Sequence, residues 1–203
     1  MSKAEICPVS AIILAGGLAR RLGGRDKGLI PLANQPLAAW VVRRISGQVS
    51  EVLLSANRNL AEYAALGHTV VPDYLPGRPG PLAGVLAAAR TASREWMLVL
   101  PCDVPFLPLD LAQRLYRHAI ETNARLLRAA DETGEHYAMM LMHRDLVPDL
   151  AGYVEAGGRQ VRAWQEQNRA ESVLFGDDPY AFLNINTPDE LRTAERVASR
   201  YPS

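Results

Sequence analysis

Two kinds of hydrophobic pattern follow each other in turn along the first half of this chain. Short aliphatic runs, typical of strands buried on both faces, are separated by segments with apolar residues at helical spacing. The pattern predicts strands over residues 11–14, 51–56, 69–73 and 96–100, and helices over residues 36–48, 60–65, 82–93 and 108–122. Strands that alternate with helices indicate a parallel sheet with helices on both faces, so an α/β fold is predicted.

The second half of the chain is less regular. Strands are predicted over residues 125–130, 136–142, 172–175 and 182–186, and helices over residues 146–155 and 159–167. A last helix, to about residue 200, begins with a capping box made by Thr187 as N-cap, Pro188 at the first helical position and Glu190. Because no repeat, low-complexity segment or linker interrupts the sequence, one domain is expected over residues 1–203.

Composition narrows the classes of function. Hydrophobic residues make up 48% and charged residues 22% of the chain, as is usual for a soluble globular protein. Lys and Arg total 22, and Asp and Glu also total 22, so the charge balance predicts neither a nucleic-acid partner nor a membrane partner. The chain does not begin like a signal peptide, and Cys7 and Cys102 lack metal-ligand spacing, so a reducing cytoplasm is expected.

The chemically richest stretch follows the first strand. Paired glycines, Gly16 and Gly17, are followed by three arginines, three further glycines and Lys27. Glycines expose backbone N–H groups and the cations add charge-assisted donors, which suits a polyphosphate ligand. The stretch matches neither G-x-x-x-x-G-K-[ST] nor G-x-G-x-x-G, so the two commonest phosphate-binding motifs are excluded. The alternative, a surface loop with solvated cations, explains this density of Gly, Arg and Lys less well.

Polar residues follow two other predicted strands. Asp73 ends the strand over residues 69–73, and Asp103 lies between Pro101 and Pro105 after the most apolar strand. In parallel sheets ligands bind outside the carboxyl ends of the strands, so the glycine loop and both carboxylates are expected to line one crevice. Asp103 has the chemistry of a Mg²⁺ ligand that acts together with substrate phosphates; the alternative is a turn residue that caps the next helix.

Two asparagines near the end of the chain are also candidates. Asn184 and Asn186 are two apart on the strand predicted over residues 182–186, so their side chains would point the same way. They could equally be turn residues before the last helix. The four histidines are scattered without a nucleophile partner, and Cys102 fits a packing residue better than a reactive thiol.

Four motifs occur in order along the chain. They are L-A-G-G-x-A-R-R-L-G-G-x-D-K over residues 14–27, P-G-P-L-A-G over 79–84, P-C-D-V-P over 101–105 and N-I-N-T-P-D-E-L over 184–191. Together they resemble the motifs of the molybdenum cofactor guanylyltransferases. The resemblance implies a three-layer, Rossmann-like nucleotidyltransferase fold with a mostly parallel central sheet. It also implies transfer of GMP from Mg-GTP to the molybdopterin form of the molybdenum cofactor, with release of pyrophosphate.

The resemblance also implies roles for single residues. Arg21, Lys27 and Asp103 would be catalytic, with Asp103 as the Mg²⁺ ligand, and Asn184 and Asn186 would lie on the pterin side. The residues implied to bind GTP are Leu14, Ala15, Gly16, Gly17, Lys27, Ser55, Asp73, Gly80 and Asp103. The sequence leaves open whether Asp73 contacts guanine or ribose; ribose is favoured, because backbone groups of the glycine loop and of residues 79–84 could read the base.

Two positions depart from the family pattern. Ser55 stands where some relatives have asparagine, and His136-Tyr137-Ala138 replaces an expected His-Pro-Thr on the cofactor side. The implied partners are GTP and molybdopterin, together with proteins that deliver the cofactor or receive it. The alternatives are a cytidylyltransferase, a sugar-phosphate nucleotidyltransferase, or a GTP- or cofactor-binding module without catalysis. The L-A-G-G opening favours the guanylyl branch, and intact Lys27 and Asp103 favour an enzyme.

Overall fold

A computed structural model describes residues 6–15, 17–19, 24–73 and 80–201 of the chain. Its centre is a seven-stranded sheet. The strands of this sheet are β1 (Cys7–Leu14), β6 (Val49–Ser55), β7 (Thr69–Val71), β8 (Trp96–Pro101), β9 (Leu126–Asp131), β10 (Gly134–His143) and β11 (Glu171–Leu174). Their order across the sheet is β11-β9-β10-β8-β1-β6-β7. Two short ribbons pair β2 (Leu18–Ala19) with β3 (Arg25–Asp26), and β4 (Pro31–Leu32) with β5 (Gln35–Pro36).

The sheet is mostly parallel, as the sequence predicts. β1 lies between β6 and β8 and runs parallel to both, β6 is parallel to β7, and β11 is parallel to β9. β10 is antiparallel to both of its neighbours, β8 and β9. The start of β10 therefore lies at the edge of the sheet where the parallel strands end.

Helices cover both faces of the sheet. They are α1 (Leu37–Ser46), α2 (Leu60–Ala64), α3 (Pro81–Thr91), α4 (Leu111–Thr122), α5 (Val147–Glu155), α6 (Val161–Gln167) and α7 (Pro188–Val197). Side chains alternate along a strand, so Ala11 and Ile13 of β1 pack with α1 and α4, whereas Ile12 packs with α3, α5 and α6. The predicted helices and the strands before residue 175 are confirmed to within a few residues at their ends. None of the helices in the described ranges is long and apolar enough to cross a membrane.

A third apolar cluster joins the end of the chain to its beginning. Ala194 and Val197 of α7 pack in one cluster with Leu32, Trp40 and Ile185. The indole N–H of Trp40 donates to the carbonyl oxygen of Leu32 over 2.9 Å, which fixes the ring in that cluster. The capping box of Thr187 and Glu190 is confirmed at the start of α7. The last helix is thereby held against the segment that follows the glycine loop.

The strand predicted over residues 182–186 is wrong. This segment is a loop that starts in a turn, in which the Leu183 N–H donates to the Tyr180 carbonyl oxygen over 3.0 Å, and its residues have no ladder partners. The N–H groups that a ladder would need have other acceptors. The Ile185 N–H donates to the carbonyl oxygen of Asp103 over 3.0 Å, and those of Asn186 and Thr187 donate to the Glu190 carboxylate over 2.7 and 2.8 Å.

Candidate active site

The carboxyl ends of four parallel strands meet at one edge of the sheet. Leu14 at the end of β1 is in register with Ser55 of β6 and with Pro101 of β8, and Ser55 is in register with Val71 of β7. Past this edge, the N–H of Ala15 donates to the carbonyl oxygen of Ser55 over 2.8 Å. The chain segments that carry the glycine loop, Asp73 and Asp103 therefore start from neighbouring strand ends, as the sequence pattern indicated.

The two ends of the glycine loop pair as a short antiparallel ribbon, β2 with β3, which we call the glycine hairpin. Leu18 pairs with Asp26 across the β2–β3 ribbon, and the Lys27 N–H donates to the Gly17 carbonyl oxygen over 2.9 Å. A 3₁₀ turn over Lys27–Leu29 follows directly. Two residues that the resemblance places at the phosphates, Gly16 and Arg21, lie outside the described residues. The base of the hairpin brings Lys27 to the edge of the sheet next to β8.

Lys27 is the centre of the site. Its ammonium group forms an ion pair with the Asp103 carboxylate and donates to Oδ1 of Asn186. Oδ1 of Asn184 lies 3.4 Å from the same nitrogen. The Lys27 side chain is 15% exposed and that of Asp103 6%, so the pair is largely removed from solvent and each charge needs the other. The structure thus brings together four residues from three distant parts of the sequence.

This arrangement changes the relation between the two sets of residues that the resemblance implied. Asn184 and Asn186 were assigned to the pterin side, and Lys27 and Asp103 to GTP. In the structure both amide oxygens lie at the Lys27 ammonium, so the two sets share one centre. Glu190 supports this centre, because its carboxylate accepts the N–H of Asn186 over 2.7 Å. Although burial opposes it, hydrogen bonds from Asn186 and Thr187 lower the pKa of Glu190.

Cys102 next to Asp103 is a packing residue. Its side chain is buried, and burial together with the Asp103 charge raises the pKa of the thiol far above its usual value. A thiol that is difficult to ionise is a poor nucleophile. The expectation that Cys102 is not reactive agrees with this environment.

On the far side of β1, Asp73 is held by an amide. The Asn57 side chain donates to Oδ2 of Asp73 over 2.7 Å, and the Asp73 N–H donates to Oδ1 of Asn57 over 2.8 Å. Ser55 is buried beneath α3, where a Cβ on Gly84 would lie 2.6 Å from its hydroxyl oxygen. Gly80 immediately precedes α3 with φ of +84°, a backbone conformation that favours glycine.

The start of β10 extends the site on its other side. Oδ2 of Asp131 lies 2.9 Å from Nε2 of His136, and the His136 ring is 4.6 Å from the ring of Phe182. Phe182 lies just before residues 183–187, which include Asn184 and Asn186 and which we call the asparagine loop. The β9–β10 register shifts between His136 and Met140, and Gln165 donates to the Tyr137 carbonyl oxygen within this bulge over 2.8 Å. The departure at His136-Tyr137-Ala138 thus lies in a bulge, a common device for redirecting side chains near active sites.

Sequence reasoning missed one buried carboxylate in the site. Asp26 immediately precedes Lys27 and accepts hydrogen bonds from the Tyr63 hydroxyl over 2.6 Å and from the Asn59 amide over 2.9 Å. Lys27 is predicted as a site residue because it ends the glycine loop. Asp26 is recognised as a site residue only in the folded structure, where Tyr63 of α2 contacts its carboxylate. The signal available was an acidic residue at the end of a stretch otherwise rich in cations.

The residues present fit a hard divalent cation that also binds substrate phosphates. Within the described ranges, no group of three His, Cys, Asp or Glu side chains could hold a metal ion. Asp103 supplies one carboxylate, which is the usual protein contribution to a Mg²⁺ ion that keeps waters and phosphate oxygens as its other ligands. A Mg²⁺ ion at Asp103 would therefore require the nucleotide.

Comparison with known proteins identifies the family. The family model described as MobA-like NTP transferase domain matches residues 11–171. The molybdenum cofactor guanylyltransferase of Shewanella sediminis is 40% identical over 192 residues, which cover 95% of this chain and 98% of that protein. The chain belongs to the molybdenum cofactor guanylyltransferase family. It is therefore a nucleotidyltransferase of molybdenum cofactor biosynthesis, and the resemblance drawn from the four motifs is confirmed.

Solved structures support the fold of this guanylyltransferase family member. The crystal structure of molybdopterin-guanine dinucleotide biosynthesis protein A from Archaeoglobus fulgidus has a TM-score of 0.76 at 23% identity and covers 94% of this chain and 99% of that one. A CMP:2-keto-3-deoxy-manno-octonic acid synthetase complexed with CTP has a TM-score of 0.75 at 12% identity, covering 96% of this chain and 99% of that one. The nucleotidyltransferase fold expected from the sequence is confirmed.

Proposed function

We propose that this chain transfers GMP from Mg-GTP to the terminal phosphate of the molybdopterin form of the molybdenum cofactor. The observation that carries the proposal is the Lys27–Asp103 ion pair at the carboxyl ends of β1 and β8, beside the glycine hairpin. It places a cation that can bind phosphate next to a carboxylate that can bind a metal, in a chain of the guanylyltransferase family. The products are the guanine dinucleotide cofactor and pyrophosphate.

In the proposed reaction an oxygen of the acceptor phosphate forms a bond to the α-phosphorus of GTP. The bond from that phosphorus to the bridging oxygen of the β-phosphate breaks, and pyrophosphate leaves with the electron pair. A phosphate monoester has a second pKa of about 6, so the acceptor is already mostly ionised at neutral pH. No general base or covalent nucleophile is required, which agrees with the un-ionised thiol of Cys102.

The proposed task of the protein is therefore alignment and charge neutralisation. Leu14, Ala15, Gly16 and Gly17 would bind GTP, with Arg21 at the phosphates. Because the Ala15 N–H is bonded to the Ser55 carbonyl oxygen, the backbone donors to the triphosphate would come from the glycines. Lys27 would leave its contact with Asp103 in part to meet the phosphates, and Asp103 would hold Mg²⁺. When bound, Mg²⁺ would offset negative charge on the phosphate oxygens.

The remaining site residues divide between base and acceptor. On the nucleoside side, Asp73, Ser55 and Gly80 would face GTP, with Asp73 held by Asn57. Asn184 and Asn186 would contact the pterin through donors and acceptors of their amides while also orienting Lys27. Asn186 contacts the ammonium, and Phe182, four residues earlier, packs against His136 at the start of β10, which supports a cofactor site on that side of Asp103.

A nucleotide panel tests this proposal. Purified protein is incubated with Mg²⁺, the molybdopterin acceptor and either GTP, CTP or ATP, and the products are identified by mass. We expect the acceptor to gain the mass of GMP with GTP and little product with the other two nucleotides. Addition of CMP would establish a cytidylyltransferase, and nucleotide binding without any product would establish a binding module.

A further inference from the structure

Asp26 has no task in the proposed reaction, yet it is a buried carboxylate next to Lys27. The residue is 8% exposed. Oδ1 accepts the Tyr63 hydroxyl over 2.6 Å, and Oδ2 accepts the Asn59 amide over 2.9 Å, with Nη2 of Arg58 3.8 Å away. Because a buried carboxylate is stable only when donors satisfy it, these partners fix where Asp26 can lie.

The partners of Asp26 come from a single short stretch between β6 and β7. We name residues 57–63 the bridge segment. Asn59 takes a left-handed conformation at φ of +49° and begins α2, but its side chain reaches Asp26 and does not cap the helix. At its other end, Asn57 holds Asp73 by two hydrogen bonds. The bridge segment thus contacts both the hairpin that leads to Lys27 and the carboxylate expected at the nucleoside.

Tyr63 touches the chain on both sides of Lys27. The Tyr63 hydroxyl donates to Asp26, the residue before Lys27. It also lies against Gly28, the residue after Lys27, where an added Cβ would be only 2.5 Å from the hydroxyl oxygen. The added Cβ would also lie 3.3 Å from Sγ of Cys102, which precedes Asp103. Tyr63 itself is fully buried. The backbone at Lys27 is therefore confined between the tyrosine and the end of β8.

We propose that Tyr63 and Asn59 are positioning residues that act through Asp26 to set where the Lys27 ammonium lies relative to Asp103. The assignment rests on the proposed function only for its kinetic consequence. Lys27 follows Asp26 in the chain, so the hydrogen bonds that anchor the Asp26 side chain also restrain the backbone from which the Lys27 side chain starts. A misplaced charge loses transition-state stabilisation even when the charge itself is retained.

The variant Tyr63→Phe tests the proposal because it removes the O–H donor and keeps the ring. The matched control is Tyr201→Phe, which removes a hydrogen bond from another buried tyrosine to an aspartate, Asp178, over 2.7 Å. We expect Tyr63→Phe to lower kcat about tenfold with little change in the KM for GTP. In a Lys27→Ala background the same change should lower kcat less than about twofold, since the group it positions is gone.

A spectroscopic measurement separates this inference from the proposed function. The chain contains two lysines, Lys3 and Lys27, so [¹³Cε]lysine gives one NMR signal for each. Tyr63→Phe should move the Lys27 signal and leave that of Lys3 in place, whereas Tyr201→Phe should move neither. If wild type transfers no GMP but Tyr63→Phe still moves the Lys27 signal, the proposed function fails and the positioning role stands.

Two results would overturn the positioning role. One is a Tyr63→Phe protein with the wild-type kcat and an unmoved Lys27 signal. The other is an equal loss of kcat in the wild-type and Lys27→Ala backgrounds, because the hydroxyl would then act on something other than Lys27. If Tyr63→Phe does not fold, Asn59→Gly replaces it in the same measurements, because glycine keeps the left-handed conformation and removes only the amide.

Discussion

The backbone N–H of Ile185 donates to the backbone carbonyl oxygen of Asp103 over 3.0 Å. This hydrogen bond fastens the loop before α7 to the segment that carries the buried carboxylate. Asn184 and Asn186, on either side of Ile185, are thereby brought to the ammonium of Lys27, which is paired with Asp103. The Asp103 carboxylate, the Lys27 ammonium and the two asparagines form one connected unit.

Removal of the Lys27 ammonium should affect both catalysis and stability. We expect Lys27→Ala to lower kcat at least tenfold, which corresponds to about 1.4 kcal/mol of transition-state stabilisation. Thermal unfolding should also begin at a lower temperature, because Asp103 is left as a buried carboxylate without its counter-charge. Lys27→Arg should rescue turnover only in part, since a planar guanidinium does not replace a compact ammonium.

The other lysine supplies the control. Lys3→Ala removes the same side chain elsewhere in the chain and should leave kcat and the unfolding temperature unchanged. Wild-type kinetics in Lys27→Ala would remove the glycine hairpin from the proposed phosphate site.

Asn186→Ala tests whether the asparagine loop belongs to one substrate or to both. The resemblance predicts weaker binding of the molybdopterin acceptor with unchanged GTP affinity. The contact between Asn186 and Lys27 revises the second half of that prediction, and we expect the Kd for Mg-GTP, measured by calorimetry, to rise about threefold as well. Asn168→Ala, which removes an amide bonded to Asp149, is the matched control and should change neither. An unchanged Kd for Mg-GTP would show that the asparagine loop affects binding of the molybdopterin acceptor only.

Much of the fold could be predicted because it depends on local pattern. Strands such as β8 are short aliphatic runs, and the capping box of Thr187 and Glu190 lies within four consecutive residues. The segment over residues 182–186 is predicted as a strand because its alternation is local, whereas the acceptor of the Ile185 N–H, the carbonyl oxygen of Asp103, is brought to it by the tertiary fold.

The candidate site could be predicted only where its residues follow strand ends. The position of Lys27 and Asp103 at one edge follows from the order of parallel strands. The contact of Lys27 with Asn186 and the contact of Asp26 with Tyr63 join segments distant in sequence. The hydrophobic pattern of the sequence does not predict these contacts. The third apolar cluster brings Asn186 to Lys27, and the connection from β6 to β7 brings Tyr63 to Asp26.

The capping box should make stability depend on acidic pH. Hydrogen bonds to the carboxylate hold the pKa of Glu190 below its ordinary value of 4.5, against the effect of burial. A lowered folded-state pKa stabilises the protein above the unfolded-state pKa, and this contribution is lost as pH falls through the folded-state pKa. Glu190→Gln should therefore lower the free energy of unfolding by about 1 kcal/mol at neutral pH and by less at an acidic pH below 4.5.

Denaturant unfolding of both proteins at the two pH values measures this difference. Glu195→Gln, an exposed position on the same helix, should show no such pH-dependent difference. If Glu190→Gln costs the same stability at both pH values, its charged form is not what caps α7.

Asp73→Ala distinguishes the two chemically sensible contacts of this carboxylate. If Asp73 accepts from the ribose hydroxyls, the affinities for GTP, ATP and CTP should fall equally, and this is the result we expect. A guanine contact would confine the loss to GTP, because cytosine offers no matching pair of donors and a buried acceptor would be left unsatisfied. Asn57→Ala should produce a smaller loss of the same pattern, since Asn57 holds Asp73 in place. Unchanged affinities would remove Asp73 from the site.

The central claim is tested most directly by following the α-phosphate of GTP. Wild-type protein, α-labelled GTP, Mg²⁺ and the molybdopterin acceptor should give labelled dinucleotide cofactor and an equal amount of unlabelled pyrophosphate, with no product when Mg²⁺ or the acceptor is omitted. Asp103→Asn should remain folded at the assay temperature, with a lowered unfolding temperature because the Lys27 ammonium loses its counter-charge, and should lose label transfer by about a hundredfold or more. Asp110→Asn, at an exposed aspartate paired only loosely with Arg114, should transfer label like wild type. Label that remains on free GTP in the complete wild-type reaction, or transfer at the wild-type rate by Asp103→Asn at saturating Mg²⁺, would contradict the account.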